Sequence, residues 1–566
     1  MPATQRRPPT RPSRRGPGLP PTRLVERRIG LLFALFLLLL SLAALRAMWL
    51  GTVKSGSLSD RAVSQQIEDI ADPARRGTIY DRNGVELAVS EDSVTVFAHP
   101  FLIKDPVKVA AKLAPLVGRD EDELLRKLSD KQSGFVYLRR KMDATIGDQI
   151  EKLEIEGIGT VTEPKRVYPQ GYLASQVLGF VGTDNTGLSG LEYSQDEALH
   201  GEDGERRLVK DALGEPVSLV ETKRAEAGHD LALTLDARIQ ERTEAVLGEV
   251  GQTYTPQGAT AVVMDPRSGE ILALANWPRV DANNVDGAPA YARQNRAIQA
   301  NYEPGSTFKA FTVSGAMSER LVEPGTELSV PPEIQVADRT VGEAHDGGGG
   351  IKSVAQILKE SSNVGSVMIG LKLGATRFDK WVRRFGFGKP TGVDLPGEEG
   401  GIVLRPEHYS GSSMGNMPIG QGIAVTPMQM ATAYTAIANH GVLRRPYIVK
   451  GDQPAPRKVL SRRTADEVSH MLEGVLAAGG TAEEAQVDGY TLAGKTGTAE
   501  KAIKGGYSKT DFIASFIGYA PAKNPRLLVA VMVDTPRGDI YGGTVAAPAF
   551  ERIMEFALPY LKIPPG

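Results

Sequence analysis

One apolar run divides this chain into parts that must live in different solvents. Ile29 to Leu45 carries no charge and is rich in leucine, and beyond Arg46 the run resumes from Ala47 to Val53. A helix of about 25 residues is roughly 37 Å long, enough to cross a bilayer with some tilt. Arg46 can snorkel to the headgroups from near one end, and Trp49 suits the interface. A buried soluble helix is the competing reading, but the run is too long and too apolar to favour it. A cleaved signal peptide also competes, although its apolar core is normally shorter and Leu50-Gly51-Thr52 is a weak cleavage site. Eight arginines against one acid, Glu26, precede the run within residues 1–28. The N-terminus is therefore expected inside, and residues 54–566 outside, the cytoplasmic membrane. No second segment of this kind occurs.

The Arg-rich tail is also rich in proline and is expected to be disordered. A nucleic-acid-binding arm is the alternative, and the apolar segment that follows argues against it. So does the formal net charge of −2 over 566 residues. The apolar fraction of 41% suits a folded core, and the length suggests several domains. There are no cysteines, which excludes disulfides, thiolate metal sites and thiol nucleophiles. The seven histidines show no H-E-x-x-H or similar spacing and read as ordinary polar residues.

Residues 54–226 read as a non-catalytic, mixed domain of short strands and helices. Arg76 to Asn83-Gly84 looks like a strand entering a turn, with Val85 to Ser90 returning. Lys108 to Leu116 and Glu121 to Leu128 have helical spacing, and Val167 to Glu192 reads as a strand-and-turn stretch punctuated by glycine. A second domain, 227–566, opens with a strand at Leu231 to Leu235 and a helix at Ala237 to Val250. Hairpins are expected about Asp265-Pro266-Arg267-Ser268-Gly269 and about Ala522-Lys523-Asn524-Pro525. Thr426-Pro427-Met428-Gln429 is a capping box with Pro at the first helical position, and Ala546 to Leu561 closes the chain as a helix. An antiparallel sheet built from both ends of this domain, with helices against it and a helical middle, is an α+β architecture.

Three short motifs in this second domain carry chemistry. Ser306-Thr307-Phe308-Lys309 follows the break Glu303-Pro304-Gly305 and opens an apolar helical stretch. It places a hydroxyl at a helix N-terminus with a lysine on the same face. Free amides there can stabilise an oxyanion, and the dipole disfavours a charged lysine, which can then act as a base. Taken alone, Ser306 as a plain helix cap is the more economical reading. Ser361-Ser362-Asn363 heads another helix; Ser361 can relay a proton and Asn363 can hold a carbonyl or a lysine, while capping is again the simple alternative. Lys495-Thr496-Gly497-Thr498 sits in a strand-like stretch with flanking glycines, where an extended peptide could add along an edge, or which could be an ordinary bulge.

Jointly, the motifs resemble the transpeptidase domain of penicillin-binding proteins. Tyr302 to Lys309, Gly420-Gln421-Gly422-Ile423-Ala424-Val425-Thr426-Pro427, Gly494 to Ala499, and Tyr541-Gly542-Gly543 with Ala546-Ala547-Pro548 all carry the likeness. Arg76 to Ala88 resembles the opening of the non-catalytic domain of the class B members. The resemblance divides the chain into a tail (1–28), a transmembrane helix (29–53), a pedestal (54–226) and a transpeptidase domain (227–566). It implies that Ser306 attacks the penultimate D-alanine carbonyl of a stem peptide, with Lys309 taking its proton. It implies that Ser361 shuttles a proton to the leaving amine and that Asn363 positions Lys309 and the substrate. Lys495, Thr496 and Thr498 would hold the substrate carboxylate, with Gly497 between them, and the amides of Ser306 and Thr498 would form the oxyanion hole. β-Lactams are implied as covalent inhibitors, and no metal or cofactor is implied.

Tyr302-Glu303-Pro304-Gly305 and Asp265-Pro266-Arg267-Ser268-Gly269-Glu270 resemble the septal type. That type implies a place at the division septum, with a SEDS-family glycosyltransferase and divisome membrane proteins as partners. Elongation-type and spore-type class B enzymes are the alternatives. Of other classes, a class A β-lactamase would need an E-x-x-L-N segment that is absent here, a class D enzyme would have valine where Asn363 stands, and a β-lactam sensor would need more than a short tail for signalling.

Overall fold

The computed structural model describes residues 22–53, 67–210, 216–344, 349–451, 453–504 and 506–565. They fall into two compact units, 1–72 with 204–224, and 73–203 with 225–566.

The first unit holds a long helix, Thr22–Thr52, and an antiparallel sheet of Ile67–Asp72, Gly204–Lys210 and Pro216–Lys223. The helix starts ahead of the apolar run, so Thr22 to Arg28 belongs to it and not to a disordered tail. Pro20-Pro21 is the last helix-breaking pair before it. The rest of the expected disordered tail lies outside the described residues. Leucines are exposed all round this helix, and among the described residues it is the one long and apolar enough to cross a membrane.

In the second unit a short strand, Ile79–Tyr80, precedes a long one, Glu86–Ala98, which pairs antiparallel to Val136–Met142 and to Ile158–Val167. Two helices, Pro106–Val117 and Glu121–Ser129, pack into a satellite core around Leu113, Leu124 and Leu128. Asp105 and Asp120 cap them by accepting from the amides of Lys108 and Glu123. Glu192, fully buried, accepts from Arg76 Nε at 2.9 Å and Arg166 Nε at 2.6 Å, which ties three distant stretches together. The expectation of strands from Val167 to Glu192 does not hold. The stretch forms short helices, Ser175–Leu178 and Gly190–Ser194, with a lone bridge between Val181 and Gly187. Leu231 to Leu235 likewise shortens to Leu231–Ala232, running parallel to Ile79–Tyr80.

The remainder is built on a five-stranded antiparallel sheet. Helix α1 (Ala237–Tyr254) leads into β1 (Gly258–Met264) and β2 (Ile271–Trp277). After a helical region containing α2 (Lys309–Ser318), α3 (Asn363–Leu373) and α4 (Pro427–Ala438), the chain returns through β3 (Ala493–Ile503), β4 (Gly506–Ala520) and β5 (Leu527–Asp534). Helix α5 (Ala547–Tyr560) follows. The strand order is β2-β1-β5-β4-β3, which leaves β3 at an edge. Helices α1 and α5 cover one face and α4 packs on β1 and β5. The central strand β5, LLVAVMVD, is accordingly buried along its whole length. Both expected hairpins form, and so does the Thr426/Gln429 capping box at α4.

Helix α2 is the hub of the helical region. Nine of its ten residues are buried, so it has no polar face to read from sequence. Phe311 contacts the rings of Phe308, Phe385, Phe387 and Tyr434 at 4.7–5.3 Å between centroids.

Candidate active site

Ser306 lies on a single 3₁₀ turn, Gly305–Phe308, and the α-helix proper begins at Lys309. The turn is clamped from several sides. Gly305 donates its amide to Gly420 O at 3.1 Å, Thr307 Oγ1 donates to Pro304 O at 2.7 Å, and the buried Tyr434 hydroxyl donates to Thr307 O at 2.7 Å. Edge strand β3 presses against the same turn. A Cβ at Gly497 would lie 2.9 Å from Thr307 Cγ2 and 3.0 Å from Pro304 O, and closer still to Ser515 Oγ. Only glycine lets the strand come this near. This contact brings the segment holding Thr498 beside the segment holding Ser306, the two expected sources of oxyanion amides.

Lys309 is fully buried at the start of α2. Its Nζ donates to Ser361 O at 2.6 Å, Asn363 Oδ1 at 2.7 Å and Ser361 Oγ at 3.3 Å. Burial pushes its pKa down to about 7, partly opposed by the negative charge of Glu343. An amine at that value is substantially neutral near physiological pH, which a general base requires. Ser361 holds a left-handed backbone, φ +60°, just before Ser362, which caps α3 by accepting from Gly365 N at 3.0 Å. Asn363 donates its side-chain amide to Gly342 O at 3.1 Å, which leaves Oδ1 for the lysine.

Lys495 is also fully buried, with Nζ 3.3 Å from both Thr496 O and Thr496 Oγ1. Burial holds its pKa well below the usual lysine range, and the nearby charge of Lys309 lowers it further. Thr496 Oγ1 shares a hydrogen bond of 2.7 Å with Thr481, and Thr498 Oγ1 accepts from Gly542 N at 3.0 Å. A cleft of about 1070 Å³ is lined by Ser306, Ser361, Asn363, Thr496, Thr498 and Tyr541, among others, while Lys309 and Lys495 lie behind its wall. The three motifs, separated widely in sequence, thus meet at one cleft.

Two acids near the cleft have contacts that the sequence does not announce. Glu343 accepts from the Asn363 amide at 2.6 Å and from the Ser362 hydroxyl. Glu303 accepts from Gly422 N at 2.9 Å and Tyr507 at 3.2 Å, and burial raises its pKa. Glu343 stands at no motif spacing, and Glu303, though part of the Glu303-Pro304-Gly305 break, gives no sign in sequence of its hydrogen-bond partners. Among the described residues no group of His, Asp and Glu side chains gathers to hold a metal.

The penicillin binding protein transpeptidase domain model matches residues 259–555. This chain belongs to the penicillin-binding protein family. The penicillin-binding protein dimerisation domain matches residues 71–233, giving the two-domain order of the class B proteins. Among relatives of this penicillin-binding protein, stage V sporulation protein D of Bacillus subtilis is 36% identical over 510 residues, covering 87% of this chain and 79% of that protein. Peptidoglycan D,D-transpeptidase FtsI of Escherichia coli is 32% identical over 558 residues, covering 96% and 93%. The crystal structure of penicillin binding protein 3 from Mycobacterium tuberculosis complexed with aztreonam is similar with a TM-score of 0.69 at 30% identity, over 88% of this chain and 98% of that one. The expected α+β transpeptidase fold is thereby borne out.

Proposed function

We propose that this protein is a peptidoglycan D,D-transpeptidase that works through an acyl ester on Ser306. The observation that carries this is the buried amine of Lys309, held by Ser361 and Asn363 one turn after Ser306, with its pKa brought down to about 7. Lys309 takes the Ser306 proton as Oγ attacks the penultimate D-alanine carbonyl of a stem peptide. The amides of Ser306 and Thr498 stabilise the oxyanion. Ser361 passes a proton to the departing D-alanine amine, and the Thr496 and Thr498 hydroxyls take the terminal carboxylate at the cleft wall. Lys495, behind them, donates to Thr496 Oγ1 at 3.3 Å and so fixes one of those hydroxyls. An amine from a second stem then attacks the ester, forming the cross-link and returning the proton to Ser306. β-Lactams would acylate the same oxygen.

Labelling with a fluorescent penicillin tests this reading. Ser306→Ala should abolish the adduct, a loss on the order of 10⁶ in rate. Stoichiometric labelling of that variant would identify a different nucleophile. A rapidly hydrolysed adduct on the wild-type protein would favour a β-lactamase instead.

For the cellular role we infer septal wall synthesis, supported by the Tyr302-Glu303-Pro304-Gly305 sequence and by the similarity to FtsI. The similarity to a sporulation protein supports a spore-type role as the second reading. In the septal arrangement residues 1–28 are a cytoplasmic tail, 29–53 the membrane anchor, 54–226 the pedestal and 227–566 the catalytic domain. The anchor then lies beside a SEDS-family glycosyltransferase and other divisome membrane proteins. Depletion should give filaments with blocked septa; cells that divide normally but form defective spores would move the protein to the second role.

A further inference from the structure

We propose that Glu343 is a positioning residue for this active site, clamping the head of α3 so that Ser361 and Asn363 present their oxygens to the Lys309 amine. The inference rests on the reading of Lys309 as the base for Ser306. One Glu343 oxygen accepts from the Asn363 amide at 2.6 Å and the other from the Ser362 hydroxyl. That hydroxyl itself accepts from Gly365 N at 3.0 Å, so the carboxylate is tied to the first turn of α3. A carboxylate is favoured there by the unpaired amides and the dipole of the helix.

A second link comes from the residue before it. Asn363 donates its side-chain amide to Gly342 O at 3.1 Å, so consecutive residues hold both the backbone and the side chain of Asn363. With those donors engaged, Oδ1 is the atom left for Lys309, at 2.7 Å. Ser361, whose carbonyl accepts from Lys309 at 2.6 Å, keeps a left-handed backbone that serine seldom adopts, so its neighbours must hold it there. The clamp at Ser362 and Asn363 does this from the adjoining residues.

Glu343 also acts through space. The charge that acts on Lys309 is Glu343, which favours the protonated amine, while Lys495 on β3 faces it and is itself lowered by the charge of Lys309. The groups that contact Lys309 from Ser361 and Asn363 are neutral. Removing the acid should therefore have two separable effects: poorer geometry at Asn363, and a Lys309 that sheds its proton more easily.

The test measures the acylation rate by a fluorescent penicillin between pH 5.5 and 9 in the full-length, detergent-solubilised protein, with thermal melts alongside. Glu343→Ala should lower the plateau rate roughly tenfold or more, as expected for losing charge-assisted hydrogen bonds. Glu343→Gln and Glu343→Ala should both move the acid limb of the profile to lower pH. Glu343→Asp keeps the charge and should leave the limb in place while lowering the plateau. A wild-type limb in Glu343→Gln, or a wild-type plateau in Glu343→Ala, overturns the proposal. If the uncharged variants fail to fold, Glu343→Asp decides: a lowered plateau supports the clamp and an unchanged one refutes it. A wild-type protein that forms no adduct at all would sink the underlying reading of Ser306 and Lys309 instead.

Discussion

Replacing Lys309 with methionine should do more than stop acylation, because the structure makes this lysine costly to keep. Its pKa falls from the ordinary 10.5 to about 7, chiefly through burial. Between those values the unfolded chain still binds the proton that the folded protein has released. Stability contributed by this position therefore rises with pH across that window, by up to about 1.4 kcal/mol per pH unit. Below about pH 7 both states bind the proton, and the contribution is flat at its most unfavourable. From pH 7 to 9 the wild-type protein should thus gain about 2.3 kcal/mol relative to Lys309→Met, less than the full slope over two pH units because the folded lysine is still half protonated at pH 7. Lys495 titrates in both proteins and cancels to first order, leaving only its coupling to Lys309. Denaturant unfolding of the solubilised protein, followed by the fluorescence of Trp277 and Trp381, reads this difference directly. The acylation rate of the wild type should rise through the same midpoint, since the base must be neutral to accept the Ser306 proton. A stability difference that stays flat to pH 9, together with an acylation limb near pH 10, would show that Lys309 is an ordinary charged lysine and not the base.

Other outcomes follow from the same geometry. Lys309→Arg keeps the charge but cannot release its proton, so acylation should fall by orders of magnitude; a near-normal rate would make Lys309 only an electrostatic partner. Gly497→Ala drives a methyl into Thr307, Pro304 and Ser515, and should slow acylation by roughly 10²-fold through displacement of the nucleophile turn, read by stopped-flow labelling. An unchanged rate would mean the turn can yield. A reporter fused after Gly566 should be active only outside the cytoplasm, as the arginines before the apolar run require; activity inside would reverse the topology.

Much of the fold was legible because local chemistry agreed with the final packing. The hairpin at Asp265–Gly269, the capping box at Thr426 and the helices beyond Asp105 and Asp120 each carry their own turn or cap residues. Val167 to Glu192 was misread because its form is set by long-range contacts, above all the burial of Glu192 against Arg76 and Arg166. The proposed nucleophile, its lysine and the two partner motifs were readable as residue types at fixed spacings. Two features were not. Lys495 looks like a cleft residue in sequence, yet it points into the interior, since an edge strand's alternation gives two faces without saying which one meets the cleft. Glu343 belongs to no periodic pattern, and only folding brings it to the head of α3.

The close approach of β3 to the nucleophile turn also bears on how such a protein can change over generations. At Gly497 an added methyl collides with the turn, and at Gly420 it would lie 2.8 Å from Gly305 N. The floor beneath Ser306 is therefore closed to the small steps by which a lineage excludes an antibiotic. Such adaptation must enter from the rim, at side chains like Arg339, Thr481 and Tyr541, where bulk can be added without touching the backbone that carries the reaction. Sequence variation selected by drug exposure should thus form a ring around an unchanging centre.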